Sequence, residues 1–472
     1  MTVRTRFAPS PTGFMHVGGV RTALFAWLVA KHADGEFILR IEDTDRSRHV
    51  EESDRHIIES LSWLGITADE GPARQSERLD MYKEWANKLV AAGRAYADPY
   101  SPEELDGFRQ AAQAAKKPFL FREHRPADPP QWKGGLPLRF KSEPTAYEWQ
   151  DAVLGELSAG PETVDDFILI KSDGYPTYNF AHIVDDHLMS ISHVIRSQEF
   201  LPSVPKFLNL YEALGIDFPV LATLPYVMGP DGKKKLSKRD GAKDILDYKR
   251  EGYLPEALIS FLATLGWNDG TEQEIFTVDE LISKFRLDRV QHSGAKFDEQ
   301  RLLWVNGHFI RQKPPGELYE LADGFWPASA MDADSGYKKA VLELVQERLK
   351  YLNELPGLTS FFFEEPNARD IKALFDNPVD KQLKNLDKAQ LKQLLEAVKD
   401  SLEHSDFSQA DIESRLNELL QKLNSKPGIL FAAVRIAVTG AKASPQLFGT
   451  LAVLDKAKSL LRINQAIDAL AA

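Results

Sequence analysis

The sequence predicts an α/β protein that starts with a parallel sheet, contains an inserted domain and ends in an all-helical region. Three observations support this prediction. The N-terminal residues follow strand, helix and strand patterns in turn; proline and basic residues become frequent from about Tyr96; and Leu, Ala, Lys and Glu dominate from about Lys381 onward. With 472 residues, the chain has room for two to four domains and a large core.

The residues up to Gly65 predict a parallel crossover unit. Val3–Ala8 has the pattern of a strand, and the helix after it stops near Gly35. The apolar residues of this helix recur at helical spacing, namely Val20, Ala23, Leu24, Trp27 and Leu28. The next strand is Glu36–Ile41, and a second helix ends at Gly65. This length suits two parallel strands joined by a helix.

The middle of the chain predicts an insertion. Proline is frequent over Tyr96–Lys141, and Leu136–Phe140 has a strand pattern inside this stretch. Asp165–Gly174 and His193–Ser197 predict a return to β structure. After the lysine-rich stretch that follows, the pattern becomes helical and remains so, as in Ser414–Leu423.

The composition excludes several classes of protein and site. No cysteine is present, so disulfides and cysteine-ligated zinc sites are excluded. The N-terminus has no apolar segment and no run approaches about eighteen apolar residues, so we expect a cytoplasmic protein without a membrane span. The formal net charge of -12 argues against a non-specific coat on nucleic acid, although a local basic patch can still bind it.

The loop before the first helix is a candidate phosphate site. It is Pro9–Gly19, PSPTGFMHVGG, and Gly18 and Gly19 open the helix. Helix N-termini offer unpaired N–H groups and the positive end of the helix dipole, and His16 adds a donor beside them. A glycine-rich turn with a buried histidine is the alternative, because the spacing matches neither the P-loop nor the dinucleotide motif.

A basic cluster is the second candidate. In Gly229–Lys243 six cations face only Asp231 and Asp240; they are Lys233, Lys234, Lys235, Lys238, Arg239 and Lys243. Lys235 and Lys238 lie three residues apart, and flexible ammonium groups suit a polyphosphate whose charge shifts during a reaction. A solvated basic loop is the commoner interpretation of such a charge run taken in isolation.

Together the two candidates resemble the paired signatures of class I aminoacyl-tRNA synthetases. These are a His-Val-Gly-Gly helix start soon after an N-terminal strand and Lys-Leu-Ser-Lys-Arg about two hundred residues later. Further segments resemble bacterial-type glutamyl-tRNA synthetases, namely RFAPSPTGFMHVGG, FILRIEDTDRSR, SDGYPTYNFAHIVDDHLM, HVIRSQEF, FDEQRLLWVNGHFIR and AVTGAKASPQLF. Glutaminyl relatives differ at Ser10–Gly13 and use β-barrels where this chain has a helical C-terminal third.

The resemblance implies a fold and a domain order. The fold would be a Rossmann-type nucleotide-binding parallel sheet with an inserted α+β domain, followed by an all-helical C-terminal anticodon-binding region. The expected domains are a catalytic domain in two parts (1–95 and 183–240, the second with the KLSKR loop), an insert for the tRNA acceptor end (96–182), a stem-contact helical domain (241–313) and two helical anticodon-binding subdomains (314–380 and 381–472).

The implied activity is that of a glutamate–tRNA ligase. Glutamate attacks ATP to form glutamyl-adenylate and pyrophosphate, and the 3′-terminal adenosine of tRNA(Glu) then accepts the glutamyl group and releases AMP. ATP would be used with Mg²⁺, which would serve as the counter-ion of the ATP phosphates and would not be coordinated by protein ligands alone. His16, Lys235 and Lys238 would be catalytic. The residues implied for ATP binding are His16, Gly18, Gly19, Glu199, Val227, Lys235, Ser237 and Lys238.

The resemblance also implies a glutamate site, formed by Arg6, Ser10, Glu42, Tyr178, His182 and Arg196. Glu42 would hold the substrate ammonium, and Arg6 and Arg196 would hold the γ-carboxylate, a task that suits the guanidinium fork. Relatives often carry asparagine where this chain has His182. Judged from local sequence alone, Arg6 would be a surface residue on an edge strand and Glu42 a cap at a helix approach.

No metal site is predicted. Asp185–His187 is interpreted as a packed, hydrogen-bonded turn, because no fourth ligand appears at a diagnostic spacing. Some relatives hold zinc through cysteines in the insert, but the matching stretch here is Ala97–Tyr100, ADPY, so we expect no zinc. The basic charge and the aromatic residues of the insert suit the acceptor end of a tRNA.

Three alternatives stay open. The enzyme could also charge tRNA(Gln); Arg348 aligns loosely with an arginine that reads the third anticodon base in selective members, which favours tRNA(Glu) alone. An idle tRNA-binding relative is disfavoured by the intact His16, Lys235 and Lys238. A small-molecule adenylyl transferase is disfavoured by the roughly 230 residues after the lysine cluster. We expect a monomer, the default of the family.

Overall fold

The first strands pair in parallel, as the sequence predicts. In the computed structural model, which describes residues 2–236, 243–376 and 383–471, β1 (Arg4–Phe7) pairs with β2 (Glu36–Ile41), and β2 pairs with β3 (Glu70–Arg74). The helix α1 (Val17–His32) connects the first two strands. All of β2 after its first residue is buried, as expected for a strand covered on both faces.

Two units make up the chain: Met1–Arg250 with Pro255–Leu302, and Glu251–Leu254 with Leu303–Ala472. No described helix is both long and apolar enough to cross a membrane. The further elements of the first unit are α2 (Ser53–Trp63), α3 (Leu79–Ala91), β4 (Ala95–Ala97), α4 (Pro102–Ala114), β5 (Leu138–Phe140), β6 (Tyr147–Asp151), β7 (Gly155–Ala159), β8 (Ile168–Ile170), α5 (Tyr178–Leu188), β9 (His193–Ser197), α6 (Val204–Leu214), β10 (Val220–Leu224), β11 (Val227–Met228), α7 (Ile245–Arg250), α8 (Pro255–Ala263), α9 (Val278–Lys284) and β12 (Ala295–Lys296).

A second set of parallel strands continues the sheet structure of the first unit. β9 pairs with β10 in parallel, with Arg196 opposite Thr223. β10 also pairs in parallel with β6, which forms an antiparallel hairpin with β7. The Ser192 N–H donates to Arg4 O at 2.9 Å, so the start of β9 lies beside β1. The pairing of β6 with β10 joins residues about seventy positions apart and was indicated by no local pattern.

The predicted insert carries a small antiparallel sheet of its own. Its strand order is β4-β5-β8, and β5 lies inside the predicted strand Leu136–Phe140. Leu138 and Phe140 are fully buried and pack with apolar residues of α3, α5 and α6. All three residues of β5 are buried, and the contacts of Leu138 and Phe140 anchor this sheet to the rest of the first unit.

The second unit is helical, as predicted for the C-terminal region. Its elements are α10 (Glu299–Gln312, which starts in the first unit), α11 (Pro315–Leu321), α12 (Ser335–Val345), α13 (Leu355–Phe363), α14 (Ala368–Asp376), α15 (Lys388–Glu403), α16 (Gln409–Lys422), α17 (Pro427–Thr439), α18 (Leu447–Leu454) and α19 (Lys456–Ala471). Leu395, Val398 and Leu416 are fully buried in its core, at the spacing that their helices predict. The predicted helix Ser414–Leu423 falls almost wholly within α16.

Candidate active site

A cleft of about 500 Å³ in the first unit is lined by the segments that follow β1, β9 and β10 and by the start of α1. Open α/β sheets bind their ligands in a crevice beyond the carboxyl ends of their strands, and this cleft has that location. Most residues predicted for ATP and glutamate line it, namely Arg6, Ser10, His16, Gly18, Gly19, Glu42, Tyr178, Arg196, Glu199, Val227 and Lys235. Ser237 and Lys238 lie outside the described residues. Arg348 belongs to the second unit, in the short 3-10 turn Gln346–Arg348, and the cleft does not include it.

The start of α1 forms one wall of the cleft. His16 is the N-cap of α1, and its Nδ1 accepts the Gly18 N–H at 3.2 Å. Nδ1 is therefore unprotonated, and in a neutral ring Nε2 carries the proton. A Cβ at Gly19 would meet nothing within 4 Å, so the backbone there is open to a ligand. The arrangement places a helix N-terminus and an imidazole at one anion-binding position.

The described part of the basic cluster forms another wall. The Leu236 N–H donates to Val227 O at 2.8 Å, so the chain folds back on itself. This places Lys235 Nζ 2.7 Å from Glu199 Oε2 and 4.7 Å from the centre of the Tyr226 ring. The Lys235 side chain is 47% exposed, so its ammonium group is accessible to a ligand while Glu199 orients it.

A buried network of charges adjoins the cleft. Arg6 donates through Nε and Nη2 to the two carboxylate oxygens of Asp186, at 3.1 and 3.3 Å. Arg40 lies 2.8 Å from Asp186 Oδ1 and 3.0 Å from Glu42 Oε1. Burial opposes ionisation of Asp186, but Arg6 and Arg40 hold its pKa well below the usual range. Arg6 and Glu42 are 5% and 4% exposed, so neither is the surface residue or cap that local sequence indicates.

These contacts distinguish the two arginines that were predicted to bind the γ-carboxylate. Asp186 neutralises Arg6 and occupies its Nε and Nη2, while Nη1 donates to Ile195 O at 3.4 Å. Arg196, on β9, is 7% exposed and has a buried Nη1 without a hydrogen-bond partner among the described residues. The Phe207 and Phe200 rings lie 5.2 and 5.9 Å from its guanidinium carbon. Arg196 is therefore the stronger candidate for an anionic ligand group.

Glu42 offers the complementary unpaired group. Its Oε2 is buried and has no hydrogen-bond partner among the described residues, whereas Oε1 accepts from Arg40. Burial raises the pKa of Glu42 to about 7, against the lowering effect of Arg40 and Arg6. A buried polar atom without a partner costs about 1–3 kcal/mol. Among the described residues, the cleft thus presents unsatisfied donors on Arg196 and Arg21 and an unsatisfied acceptor on Glu42, which suits a ligand with both an anionic and a cationic group.

His182 lies behind the cleft wall rather than on it. It is fully buried, its ring stacks on Tyr178 at 4.7 Å, and its Nδ1 donates to Tyr178 O at 2.7 Å. Burial, and after it Arg196, lowers the pKa of His182 to about 3, so the ring is neutral. Its Nε2 is then an acceptor, and this buried atom has no partner within the described ranges. The residue supports Tyr178, which lines the cleft.

Asp185–His187 is packed and hydrogen-bonded as predicted, but it is helical and not a turn. The segment is the end of α5, because Phe180, Ile183 and Val184 bury one face of a helix. Asp185 is fully buried and accepts from three side chains, those of Gln75, Arg78 and Tyr82. Within residues 2–236, 243–376 and 383–471, no group of three or more His, Asp or Glu side chains is placed to hold a metal ion.

Sequence reasoning missed Arg21, Arg40 and Asp186. Arg21 lines the cleft, is 3% exposed and donates from Nη1 to Pro225 O at 2.9 Å; burial lowers its pKa to about 10. Its position four residues after Val17 and three before Leu24 puts it on the buried face of α1, and this spacing is the signal that could have revealed it. Arg40 lies inside the apolar strand EFILRI, so its burial could have been inferred from its position in that strand.

Comparisons with known proteins address the identity of the chain. A family model described as tRNA synthetases class I (E and Q), catalytic domain, matches residues 2–304, and an anticodon binding domain model matches residues 317–467. A glutamate–tRNA ligase of Dehalococcoides mccartyi is 42% identical over 482 residues, which cover 98% of this chain and 97% of the relative. The chain belongs to the glutamate–tRNA ligase family.

Other members of the glutamate–tRNA ligase family match over the same length. The glutamate–tRNA ligase of Legionella pneumophila is 40% identical over 473 residues, covering 99% of this chain and 98% of the relative. A crystal structure of a glutamate tRNA ligase from Elizabethkingia meningosepticum, in complex with its amino acid, superposes with a TM-score of 0.87 at 31% identity and covers 99% of both chains.

Membership in the glutamate–tRNA ligase family confirms the predicted family, the class I fold with a helical C-terminal region, and the activity of an aminoacyl-tRNA ligase. Class I synthetases use ATP and Mg²⁺ as a family, which agrees with the expected cofactors at that level. None of these comparisons supports the alternative of an idle tRNA-binding relative.

Proposed function

We propose that this chain activates L-glutamate with ATP in the cleft and transfers it to the 3′-terminal adenosine of tRNA(Glu). The observation that carries the proposal is the presence, on one cleft, of Arg196 Nη1 and Glu42 Oε2, neither of which has a hydrogen-bond partner among the described residues. Glutamate supplies a γ-carboxylate for the arginine and an ammonium group for the carboxylate. Ser10, Tyr178 and Arg6 line the same cleft, and Arg6 is paired with Asp186.

ATP would bind along the two walls that carry His16 and Lys235, with Glu199 and Val227 near its adenosine. The leaving pyrophosphate gains charge in the transition state, and fixed donors stabilise that charge more than the ground state. One such donor contributes about 2.7–4 kcal/mol. Gly18 and Gly19 let the phosphates approach the backbone, and Ser237 and Lys238 belong to the same proposed site. Mg²⁺ would accompany ATP as the counter-ion of its phosphates.

ATP–pyrophosphate exchange tests the proposed activity. We expect exchange that depends on glutamate and requires tRNA(Glu), because the family resemblance implies that the ATP site is assembled only with tRNA bound. The assay compares purified protein with and without tRNA. Absence of exchange with tRNA present would overturn the proposed activity, whereas strong exchange without tRNA would overturn only the tRNA requirement.

The pH dependence of the KM for glutamate tests the role of Glu42. The raised pKa of about 7 means that the ionised carboxylate, which attracts the substrate ammonium, becomes dominant only above that pH. We expect the KM for glutamate to fall by up to about tenfold per pH unit as pH rises towards 7, and then to level off. Glu42→Gln should raise the KM and remove this slope, whereas Glu70→Gln, an exposed partner of Arg4, should keep the wild-type profile.

The raised pKa of Glu42 also makes the stability of the folded protein depend on pH. The pKa of Glu42 in the folded protein lies above its ordinary value of 4.5, so the folded state binds this proton more tightly. The contribution of this group to the free energy of unfolding is full below pH 4.5 and is lost as pH rises through about 7.

A KM for glutamate that does not change between pH 4.5 and about 7 would show that Glu42 does not bind the ammonium group.

The second unit is proposed to select the tRNA. Arg348 is exposed at the end of its 3-10 turn, and its loose match to an arginine of selective relatives favours charging of tRNA(Glu) alone. Charging assays on tRNA(Glu) and tRNA(Gln) decide between this and the alternative that both are substrates. The predicted domain boundaries, the monomeric state and the cytoplasmic location stay proposals, which limited proteolysis, sedimentation and cell fractionation respectively test.

The insert is proposed to fold without zinc. Asp98 lies where some relatives have a zinc ligand, and it pairs instead with Arg139 at 2.5 Å. Tyr100 packs edge-on against Phe108 and Phe121, with ring centres 5.1 and 6.2 Å apart. An ion pair and aromatic contacts thus join the segments that a metal would otherwise hold. Stoichiometric zinc found by elemental analysis of the purified protein would contradict this proposal.

A further inference from the structure

A histidine outside the cleft residues connects the two segments proposed to hold the phosphates. His56, on α2, is 8% exposed. Its Nδ1 accepts the Met15 N–H at 3.3 Å, and its Nε2 lies 2.6 Å from Asp244 Oδ1. Met15 immediately precedes His16, and Asp244 directly follows the basic cluster Gly229–Lys243. One imidazole therefore contacts the chain next to each phosphate-binding segment.

The geometry determines where the proton on this ring lies. The Met15 N–H donates to Nδ1, so Nδ1 is unprotonated and Nε2 donates to the Asp244 carboxylate. The Ser60 hydroxyl, 3.4 Å from Nδ1, is on the same acceptor side. The Phe14 ring stacks on the imidazole with centres 4.6 Å apart and planes 15° apart, which limits its rotation. His56 thus acts as an acceptor towards one segment and a donor towards the other.

Main-chain contacts join the same two segments. The Ile245 N–H donates to Met15 O at 3.1 Å, and His16 forms an isolated antiparallel β-bridge with Asp244. Asp244 Oδ1 also accepts the Leu246 N–H at 2.9 Å, at the start of α7. The Asp244 carboxylate therefore depends on two donors for its position, and His56 supplies the one from a different element.

We propose that His56 is a positioning residue for adenylate formation: through Met15 and Asp244 it holds the segment of His16 in register with the chain at the C-terminal end of the basic cluster. This role rests on the ATP site proposed above. Stabilising the charge on pyrophosphate needs donors at fixed places, and a misplacement of about 1 Å can cost about 10²-fold in rate. His56 does not line the cleft, so its loss acts on the rate of adenylate formation and not on glutamate binding.

Substitutions that keep one bond at a time test this role. A glutamine amide at position 56 can donate towards Asp244, as Nε2 does, and an asparagine amide can accept from Met15, as Nδ1 does. We expect His56→Ala to slow adenylate formation about 10²-fold, with little change in the KM for glutamate or in the Kd for tRNA. His56→Gln and His56→Asn should each recover part of the rate.

The coupling of His56 to Asp244 is measured with a double-mutant cycle. Asp244→Ser keeps an oxygen that can accept the Leu246 N–H, but its side chain is too short to reach His56. If the two residues act together, combining His56→Ala with Asp244→Ser slows adenylate formation little more than either change alone. His193→Gln is the matched control, because His193 is half-buried, hydrogen-bonded to Ser192 and outside the cleft.

Thermal unfolding is recorded for every variant. Rates that fall only in proportion to lost folded protein, or losses from His56→Ala and Asp244→Ser that simply multiply, would show that His56 is a structural residue. A wild-type protein without glutamate-dependent exchange in the presence of tRNA would instead overturn the proposed function, and with it this role. Normal wild-type exchange together with a His56→Ala variant as active as the His193→Gln control would overturn the positioning role alone.

Discussion

Replacing Arg196 with alanine is expected to raise the KM for glutamate on the order of 10²–10³-fold. Arg196 is 7% exposed, its Nη1 has no partner among the described residues, and the neighbouring Arg6 is already neutralised by Asp186. Removal of one partner of a buried charge pair costs about 2–5 kcal/mol. Steady-state aminoacylation at varied glutamate concentration measures the change.

The choice of substituent separates charge from geometry. Arg196→Lys keeps the charge but not the forked donors, so we expect it to restore little of the affinity. Glutamine should remain a poor substrate of the wild-type enzyme, because its NH₂ would face a guanidinium that can only donate; such mismatches reach about 10⁴–10⁵ in discrimination. Arg4→Ala, in the strand of Arg6 but paired with Glu70, is the control. An unaltered KM in Arg196→Ala would mean that the side-chain pocket lies elsewhere.

Replacing Lys235 with alanine is expected to reduce kcat for adenylate formation about 10²–10³-fold while leaving the affinity for tRNA nearly unchanged. Glu199 holds Lys235 Nζ at 2.7 Å, and both residues line the cleft proposed to bind ATP. The loss falls on kcat because the charge on the leaving pyrophosphate exists chiefly in the transition state. Lys238→Ala should behave in the same way, as the resemblance implies. Single-turnover adenylate formation and tRNA binding are the two measurements.

A matched control lies in the same basic cluster. Lys233 is exposed, its N–H donates to Asp231, and it does not line the cleft. We expect Lys233→Ala to keep the wild-type kcat. If Lys233→Ala and Lys235→Ala weaken tRNA binding equally and neither alters kcat, the cluster is a general basic patch and not a phosphate site.

The sequence by itself determined the class of fold and the position of most cleft residues. The spacing of apolar residues predicted α1 and β2 within a few positions, because burial on one helical face or along a strand is a local pattern. The family resemblance, and not a local pattern, implied Arg6, Glu42 and Arg196 as glutamate-binding residues, and all three line one cleft. Taken singly, the loop Pro9–Gly19 and the basic cluster Gly229–Lys243 each had a plainer interpretation, and only their combination indicated the family.

Only the tertiary structure decided how the buried charges pair. Asp186 follows Arg6 by 180 residues and neutralises it, and Asp244 follows His56 by 188 residues and accepts from it. The resemblance implied the same role for Arg6 and Arg196, yet Arg6 is paired with Asp186, whereas Arg196 Nη1 has no partner in the part of the chain that the structure describes. Local patterns predict which side chains are buried. The pairing of buried acids with buried bases depends on distant segments that pack together. A charge removed from water needs a partner of opposite charge, and those distant segments supply it.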